Sequence, residues 1–338
     1  MIRKNSLIAL LLLFFVLPGC AKSDVYKFTS LSMGTTVEVT ICLDGIGIAA
    51  AKSAADESKA RIEDINKMLS IFDKKSPVSL VNDDTSKKLR KLNPDLYLLT
   101  KRCNKYYVLT EGAFDITVEP LVEAWGFGPG EKKKCDPDTI AGILKYVGMN
   151  KMVFDDADRT VYFKDPRMRI DFGGIAKGYA VDEVVKILKR RGIRSAVINM
   201  GGEVYCMGSS TARKGWSIGI KDPDDKKNII ARLVIKDKAV ATSGNYENFY
   251  ISGGREYGHI INPRTGYAAR NNLRSVTVVA DDCMTADALA TAIFVLGEKK
   301  GLEFIEKLQG VDILLVAKDL AGTRISMSSG MKGYIAKK

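Results

Sequence analysis

One histidine, His259, serves all 338 residues. That scarcity excludes zinc sites built from several histidines and the HExxH metalloprotease helix. Any Ser-His-Asp triad would have to run through His259. No CxxC pair occurs, so neither a thioredoxin-like redox motif nor a zinc ribbon is available. After Cys20 come five cysteines, Cys42, Cys103, Cys135, Cys206 and Cys283, odd in number and widely spaced. They fit scattered core thiols better than a disulfide framework. A Walker A loop, a GxGxxG turn, an internal repeat and a low-complexity tract are all missing. The longest apolar run, Leu7 to Leu17, has 11 residues, too few to span a bilayer core of about 30 Å.

What is present is the composition of a globular protein, with 46% hydrophobic and 27% charged residues. Disorder, collagen, coiled coil and a polytopic membrane protein are poorly supported. Lys and Arg outnumber Asp and Glu by 52 − 40 = 12. The basic residues are spread thinly, without an Arg/Lys stripe interleaved with aromatics. They describe a solvated surface rather than a nucleic-acid face.

Arg3 and Lys4 precede the apolar run, which ends in Leu17-Pro18-Gly19-Cys20. A basic start, a short apolar stretch and a Gly-Cys end describe a bacterial lipoprotein signal. The expectation is a signal peptide over 1–19, a lipidated Cys20, a tether over 20–27 and one catalytic domain over 28–338. The protein would then be exported and held by its lipid on the periplasmic or extracytoplasmic side of a membrane. Ala21-Lys22 lacks an aspartate retention signal, which favours the outer membrane.

Two strands are expected between Val25 and Cys42, turning at Met33-Gly34-Thr35. Ile62, Ile65, Leu69 and Phe72 repeat at helical spacing, so a helix covers about 49–70. Asn93-Pro94 caps a second helix carrying Leu96, Leu99, Cys103 and Tyr106. Gly126 to Pro137 reads as a loop, and Val161 to Asp171 as two short strands around Asp165-Pro166. A helix over about 175–191 ends at Gly192. Further strands are expected at Ser195 to Met200, Trp216 to Ile220, Arg232 to Val240, Tyr250 to Ser252 and Ser275 to Ala280. Helices follow at Thr285 to Leu296 and Leu302 to Leu308, then a closing hairpin of Val311 to Ala317 and Thr323 to Met327. Strands joined by tight turns, with helices in separate blocks, give an α+β fold with mainly antiparallel sheets.

Four segments carry chemistry. In the run from Asp171 to Asp182, a strand delivers Asp171 to Gly173-Gly174 and a helix starts at once. Exposed N–H groups at a helix start suit an anion, glycine lets it approach, and Lys177 adds charge; a tight packing turn explains the same residues. Asp287 and Thr291 share a helix face at i and i+4. Their carboxylate and hydroxyl suit a hard cation such as Mg²⁺, although Asp287 could equally serve the helix dipole. His259 ends a strand before Asn262-Pro263, and a side chain with an ordinary pKa of about 6.5 can act as a general base. Gly112 to Pro120 and Trp125-Gly126-Phe127-Gly128 supply aromatic rings for a planar ligand or for the core. Met200-Gly201-Gly202-Glu203 and Ala241 to Tyr246 are glycine-bearing strand ends of the kind that line pockets.

Together these segments resemble the ApbE-type flavin transferases, the FAD:protein FMN transferases. The resemblance runs from about Phe28 to Ile325. It includes Met33-Gly34-Thr35, Leu69 to Asp73 with Ser79 to Asn82, and Gly112 to Thr117. Asp171 to Asp182, Asn199 to Glu203, Thr242-Ser243-Gly244, His259 to Gly266 and Ala286 to Thr291 complete it. The resemblance implies a tunnelling-fold-like architecture with a smaller appended lobe and FAD bound between them. It implies Mg²⁺-dependent transfer of FMN from FAD to a threonine hydroxyl of a target flavoprotein, with release of AMP. Acceptors in such a family carry a motif similar to (Ser/Asp)-Gly-x-(Ser/Thr)-Thr. By this resemblance Met33, Phe72, Ala113, Phe114, Asp115, Asp171, Lys177 and Ile261 line the FAD site. Asp287, Thr291 and the Gly174 carbonyl hold Mg²⁺, and His259 lies near the diphosphate, with His259 and Asp287 as the catalytic pair. Two departures stand out: Phe72 replaces the commoner Tyr or Trp, and Asn262 the commoner Asp. The rivals are an Mg²⁺-dependent FAD pyrophosphatase giving FMN and AMP, and a lipid-anchored flavin-binding protein.

Overall fold

In the computed structural model the described residues are 24–336, apart from 85, 87–88, 128–134, 211–213, 226, 245–247 and 253. The expected signal and Cys20 lie outside them, as do Gly128, Asn245 and Tyr246. In chain order the elements are β1 (Val25–Ser32), β2 (Thr35–Cys42), α1 (Ile48–Leu69), α2 (Pro77–Asp83), β3 (Arg90–Lys91) and α3 (Pro94–Leu109). Next come α4 (Glu119–Ala124), α5 (Pro137–Leu144), β4 (Met152–Asp155), β5 (Thr160–Phe163), α6 (Ala176–Arg190), β6 (Ala196–Met200), β7 (Glu203–Met207) and β8 (Trp216–Lys221). The rest are β9 (Ile229–Ile235), β10 (Lys238–Ser243), β11 (Phe249–Ser252), β12 (Arg255–Gly258), β13 (Leu273–Ala280), α7 (Cys283–Leu296), α8 (Glu298–Ile305), β14 (Asp312–Asp319) and β15 (Gly322–Met327). β1 thus begins at Val25, inside the stretch expected as tether.

Eight strands form one sheet in the order β1-β2-β6-β7-β10-β13-β14-β15, and every pairing is antiparallel. This is the α+β, mainly antiparallel class read from the sequence. Strand alternation sends Val37, Val39, Ile41, Ile198 and Val278 to one face, where α1, α6 and α7 pack. Val197, Val204, Cys206, Val240 and Val316 point the other way, under the β8–β9 hairpin. β6 and β7 are therefore buried along their whole length, the polar Asn199 and Glu203 included. A separate apolar cluster joins α4, α5 and β12 through Leu121, Trp125, Ile140 and Tyr257. There Trp125 stacks on Tyr257 with centroids 5.3 Å apart and donates to the Gly266 carbonyl at 2.7 Å.

Two expectations change. Arg232 to Val240 is not one strand: Asp237, at φ 52°, turns β9 into β10. Only one strand flanks Asp165-Pro166, because β5 ends at Phe163 and pairs backward with β4. The extended stretch after Pro166 finds a side chain where a strand would find a neighbour. Asn82 donates to the Ile170 carbonyl at 2.9 Å and accepts from its N–H at 2.8 Å. The five cysteines after Cys20 are buried thiols with no disulfide among the described residues. Among those residues no helix is long and apolar enough to cross a membrane.

Candidate active site

The cleft is built at the start of α6. Asp171 donates its N–H to the Ile116 carbonyl at 2.8 Å, so the Gly112–Thr117 segment and the Asp171 turn are tied together. The Asp171 carboxylate accepts from the Gly173 N–H at 3.1 Å, and burial raises it above the usual carboxylate range. α6 then starts without a side-chain cap of its own. Its capping group comes from α7: Asp287 Oδ2 accepts from the Gly178 N–H at 3.0 Å. The exchange is reciprocal. Asp182 on α6 accepts from the Cys283 and Met284 N–H groups at 2.7 and 2.9 Å, capping α7. Burial pushes the Asp182 carboxyl up to about 7. Asp287 does serve a helix dipole, but the dipole is that of the neighbouring helix.

Gly178 permits this crossing, since a Cβ there would sit 2.5 Å from the Cys283 carbonyl oxygen and 2.9 Å from Asp287 Cβ. Gly174 lies against the same helix, its missing Cβ 3.2 Å from Thr291 Oγ1 and 3.5 Å from Phe114 Cε2. Asp287, Thr291 and Gly174 therefore meet where α6 begins, although 113 residues (287 − 174) separate Gly174 from Asp287.

Two adjacent cavities open here and share wall residues. The larger, of about 770 Å³, is walled by Met33, Leu69, Phe72, Phe172, Ile218 and Val240, with Asp171 and Lys177 at one side. The smaller, of about 220 Å³, is walled by Phe114, Asp115, Gly174, Lys177, Glu203, His259, Ile261, Asp287 and Thr291. Asp171, Gly173, Lys177, Val122, Phe127 and Thr242 border both. The size and mostly apolar lining of the larger cavity suit a small organic ligand.

Of the residues implied for FAD, Met33 and Phe72 line the larger cavity, and Asp171 and Lys177 border both. Phe114, Asp115, His259 and Ile261 line the smaller. Phe72 is presented at 68% exposure by a turn in which the Ser70 carbonyl accepts from Ser76 at 2.7 Å and Ser79 at 3.3 Å. Ala113 is buried and contributes to neither wall. The Asp115 carboxylate is already engaged by the Thr117 N–H and hydroxyl at 2.8 and 2.6 Å and by the Met149 N–H at 3.3 Å. Burial raises it to about 6, so its visible work is to shape the turn behind Phe114.

His259 is half-buried, and its Nδ1 lies 3.1 Å from the Asn248 carbonyl. A carbonyl only accepts, so Nδ1 carries the proton and the Nε2 lone pair is the basic site. Asn262 Oδ1 accepts from the Arg264 N–H at 2.9 Å, a turn-forming bond that an amide makes as well as a carboxylate. Arg264 in turn reaches the Thr110 and Glu111 carbonyls at 3.1 and 2.7 Å, fastening the His259 loop to the Gly112 turn. The paired caps, the Asn82 clasp and this arginine bridge were not found by sequence reasoning. The Asp182-to-Cys283 separation hides the first, and nothing local marks the others.

The smaller chamber gathers the carboxylates of Asp115, Asp171, Glu203 and Asp287 around the Lys177 ammonium. That balance suits a hard cation, for which carboxylate, hydroxyl and carbonyl oxygens are the right donors. Asp287, Thr291 and the Gly174 carbonyl fit such a role. No group of three or more His, Cys, Asp or Glu side chains could hold a metal among the described residues, so neutral oxygens must complete any site.

An apolar cavity beside a charged chamber at a helix start suits a nucleotide-like ligand, for whose phosphates the first N–H groups of α6 are the fitting donors. The ApbE family model matches residues 33–315, and the chain belongs to the ApbE family. It is 32% identical over 338 residues to the FAD:protein FMN transferase of Vibrio cholerae, covering 99% of this chain and all of the relative. The Haemophilus influenzae FAD:protein FMN transferase is 32% identical over 311 residues, 90% of each chain. The solved flavin transferase ApbE from Vibrio cholerae superposes with a TM-score of 0.84 over 93% of this chain and all of that one. The ApbE protein of Thermotoga maritima gives 0.85 at 32% identity over the same shares.

Proposed function

We propose that this chain is an FAD:protein FMN transferase, moving FMN from FAD to a threonine hydroxyl of an acceptor protein and releasing AMP. The observation that carries the reading is the adjacency of the aromatic cavity and the Asp287–Thr291–Gly174 chamber in a chain alike to such enzymes over nearly its whole length. The isoalloxazine ring takes the larger cavity, between Met33 and Phe72, and the diphosphate takes the smaller. Asp287, Thr291 and the Gly174 carbonyl would hold Mg²⁺, which would supply charge neutralisation at the diphosphate.

Phosphoryl-type transfer asks the protein for position and charge rather than for covalent chemistry. The first N–H groups of α6 and the Lys177 ammonium hold the phosphates. His259 takes the threonine proton on Nε2 while the threonine Oγ bonds to the FMN phosphorus. The bond from that phosphorus to the bridging oxygen breaks, and the electron pair leaves on AMP. An acceptor with a (Ser/Asp)-Gly-x-(Ser/Thr)-Thr-like motif in an extended loop would fit the narrow chamber. Lipidation at Cys20 would hold the enzyme on the extracytoplasmic side of a membrane, next to membrane-bound redox acceptors.

The test incubates the chain from Ala21 onward with FAD, Mg²⁺ and an acceptor domain bearing the threonine motif. A fluorescent protein adduct of FMN mass, lost with EDTA and with Asp287→Ala, is the expected result. Free FMN and AMP without a protein adduct would instead establish the hydrolase, and bound, intact FAD a flavin carrier. The anchor has its own test. Intact mass of the membrane-extracted protein should begin at a lipid-modified Cys20, and an N-terminus at Met1 would overturn it.

A further inference from the structure

The segment Asn199-Met200-Gly201-Gly202-Glu203 is given no step in the transfer above, and Glu203 enters only as one of the chamber carboxylates. Gly201 and Gly202 sit at φ +70° and +111°, conformations that glycine adopts at little cost. Asn199 Oδ1 accepts from the Gly202 N–H at 3.1 Å, and Glu203 opens β7 paired with Met200. Alternation then sends Glu203 to the helix face with Tyr205 and Met207. The side chain is 4% exposed, borders the smaller chamber, and places Oε1 3.2 Å from Lys177 Nζ.

A buried carboxylate in a chamber meant for a diphosphate is repulsive unless a cation offsets it. Lys177, which borders both cavities, is that cation. We infer that Glu203 is the counter-ion of Lys177: it orients the ammonium through one of its donors and cancels its charge. The chamber then does not over-bind an anionic ligand. Glu203 is on this view a positioning residue, and the inference rests on the chamber being the diphosphate site. The reason for such a device is kinetic. Ground-state binding shared equally by substrate and transition state adds nothing to turnover, and a Lys177 charge undiminished by Glu203 would hold FAD and AMP alike.

The signs of the charge changes supply the test. FAD affinity is measured on the full chain in detergent, by calorimetry in EDTA at low salt, beside the kinetics of FMN transfer. Glu203→Gln keeps the shape and takes one negative charge from beside the Lys177 ammonium. Its Kd for FAD should fall on the order of tenfold, the scale of one charge a few ångströms away in a partly wet site. KM should fall with it while kcat does not rise, and added salt should erase the gain. Lys177→Gln, which takes the ammonium from beside the Glu203 carboxylate, should bind FAD more weakly and hold or improve with salt. The double variant should lie between the two. A purely structural pair would predict weaker binding in both single variants, and that result overturns the inference. So does a Lys177→Gln protein whose affinity falls with salt as the unmodified protein's does. Absence of FAD binding by the unmodified chain would instead sink the functional reading on which the inference rests.

Discussion

Replacing Gly178 with alanine probes the crossing of α6 and α7 more sharply than any change to a polar group. The new methyl would lie 2.5 Å from the Cys283 carbonyl oxygen, 2.8 Å from its carbonyl carbon and 2.9 Å from Asp287 Cβ. Ordinary contact starts near 3.4 Å, so the helices must part by 3.4 − 2.5 = 0.9 Å along that line. Two of the three obstacles are backbone, and no rotamer change relieves them. Overpacking of this kind costs about 1–3 kcal/mol. Weakening the Gly178 N–H bond to the buried Asp287 carboxylate adds about 1.5–3 kcal/mol. Better helix propensity returns at most about 1 kcal/mol. With that return taken in full the net loss is about 1.5–5 kcal/mol, or about 2–7 °C in melting temperature at about 2.1 cal/mol/K of unfolding entropy per residue. The same displacement carries Asp287 and Thr291 away from Gly174, and misplacement by about 1 Å costs on the order of a hundredfold in rate. Thermal melts and the EDTA-sensitive FMN transfer assay read the two effects. Gly142→Ala is the control, because that helical glycine in α5 has nothing within 4 Å of its missing Cβ; it should gain about 0.5–1 kcal/mol. A Gly178→Ala protein as stable and as active as the unmodified one would refute the packing argument.

Phe72 is exposed, so Phe72→Ala should leave the melting temperature nearly unchanged while FAD affinity falls about 3- to 10-fold, the worth of one aromatic stack; equal affinity would remove Phe72 from the flavin site. His259→Asn should keep FAD binding and lose about 10²- to 10⁴-fold in transfer rate, and unchanged transfer would end its assignment as the base. Glu119 is buried beside Arg169, with Oε2 3.5 Å from its Nε, and burial raises its carboxyl from 4.5 to about 7 despite that cation. Between those values the folded chain keeps a proton that the unfolded chain has lost, so stability should fall as pH rises from 4.5 to about 7 and level off above. The buried Asp115 and Asp182 carboxyls, raised to about 6 and about 7, add slope of the same sign, so in denaturant melts Glu119→Gln should lessen the slope by the share of one proton; an unaltered slope would place the titration elsewhere.

Much of the fold was legible because its cues are local. The Asn93 cap, accepting from the Leu96 N–H at 2.8 Å, and the helical spacing of Ile62, Ile65 and Leu69 gave α3 and α1 nearly to the residue. The β1–β2 and β14–β15 hairpins were read from β-branched runs around tight turns. The failures share one cause. β9 and β10 read as a single strand because Ile235-Lys236-Asp237-Lys238 contains no glycine or proline, and Asp237 takes the left-handed conformation that glycine usually marks. The stretch after Pro166 read as a strand because its partner is the side chain of Asn82, far away in sequence.

Sequence alone determined the class of the fold, the candidate chemistry and the residue types available to it. Asp287 and Thr291 are one helical turn apart, and that spacing puts them on one face wherever the helix goes. The Gly173-Gly174 turn into a helix offers its N–H groups to an anion in the same way. Tertiary structure decided which of these groups meet. Only the packed chain brings Thr291 against Gly174, exchanges the caps of α6 and α7 through Asp182 and Asp287, and sets Glu203 against Lys177. Helix and turn signals act over a few residues, whereas a capping or counter-ion partner is fixed by which backbones can approach. Here that depends on a missing methyl at Gly178.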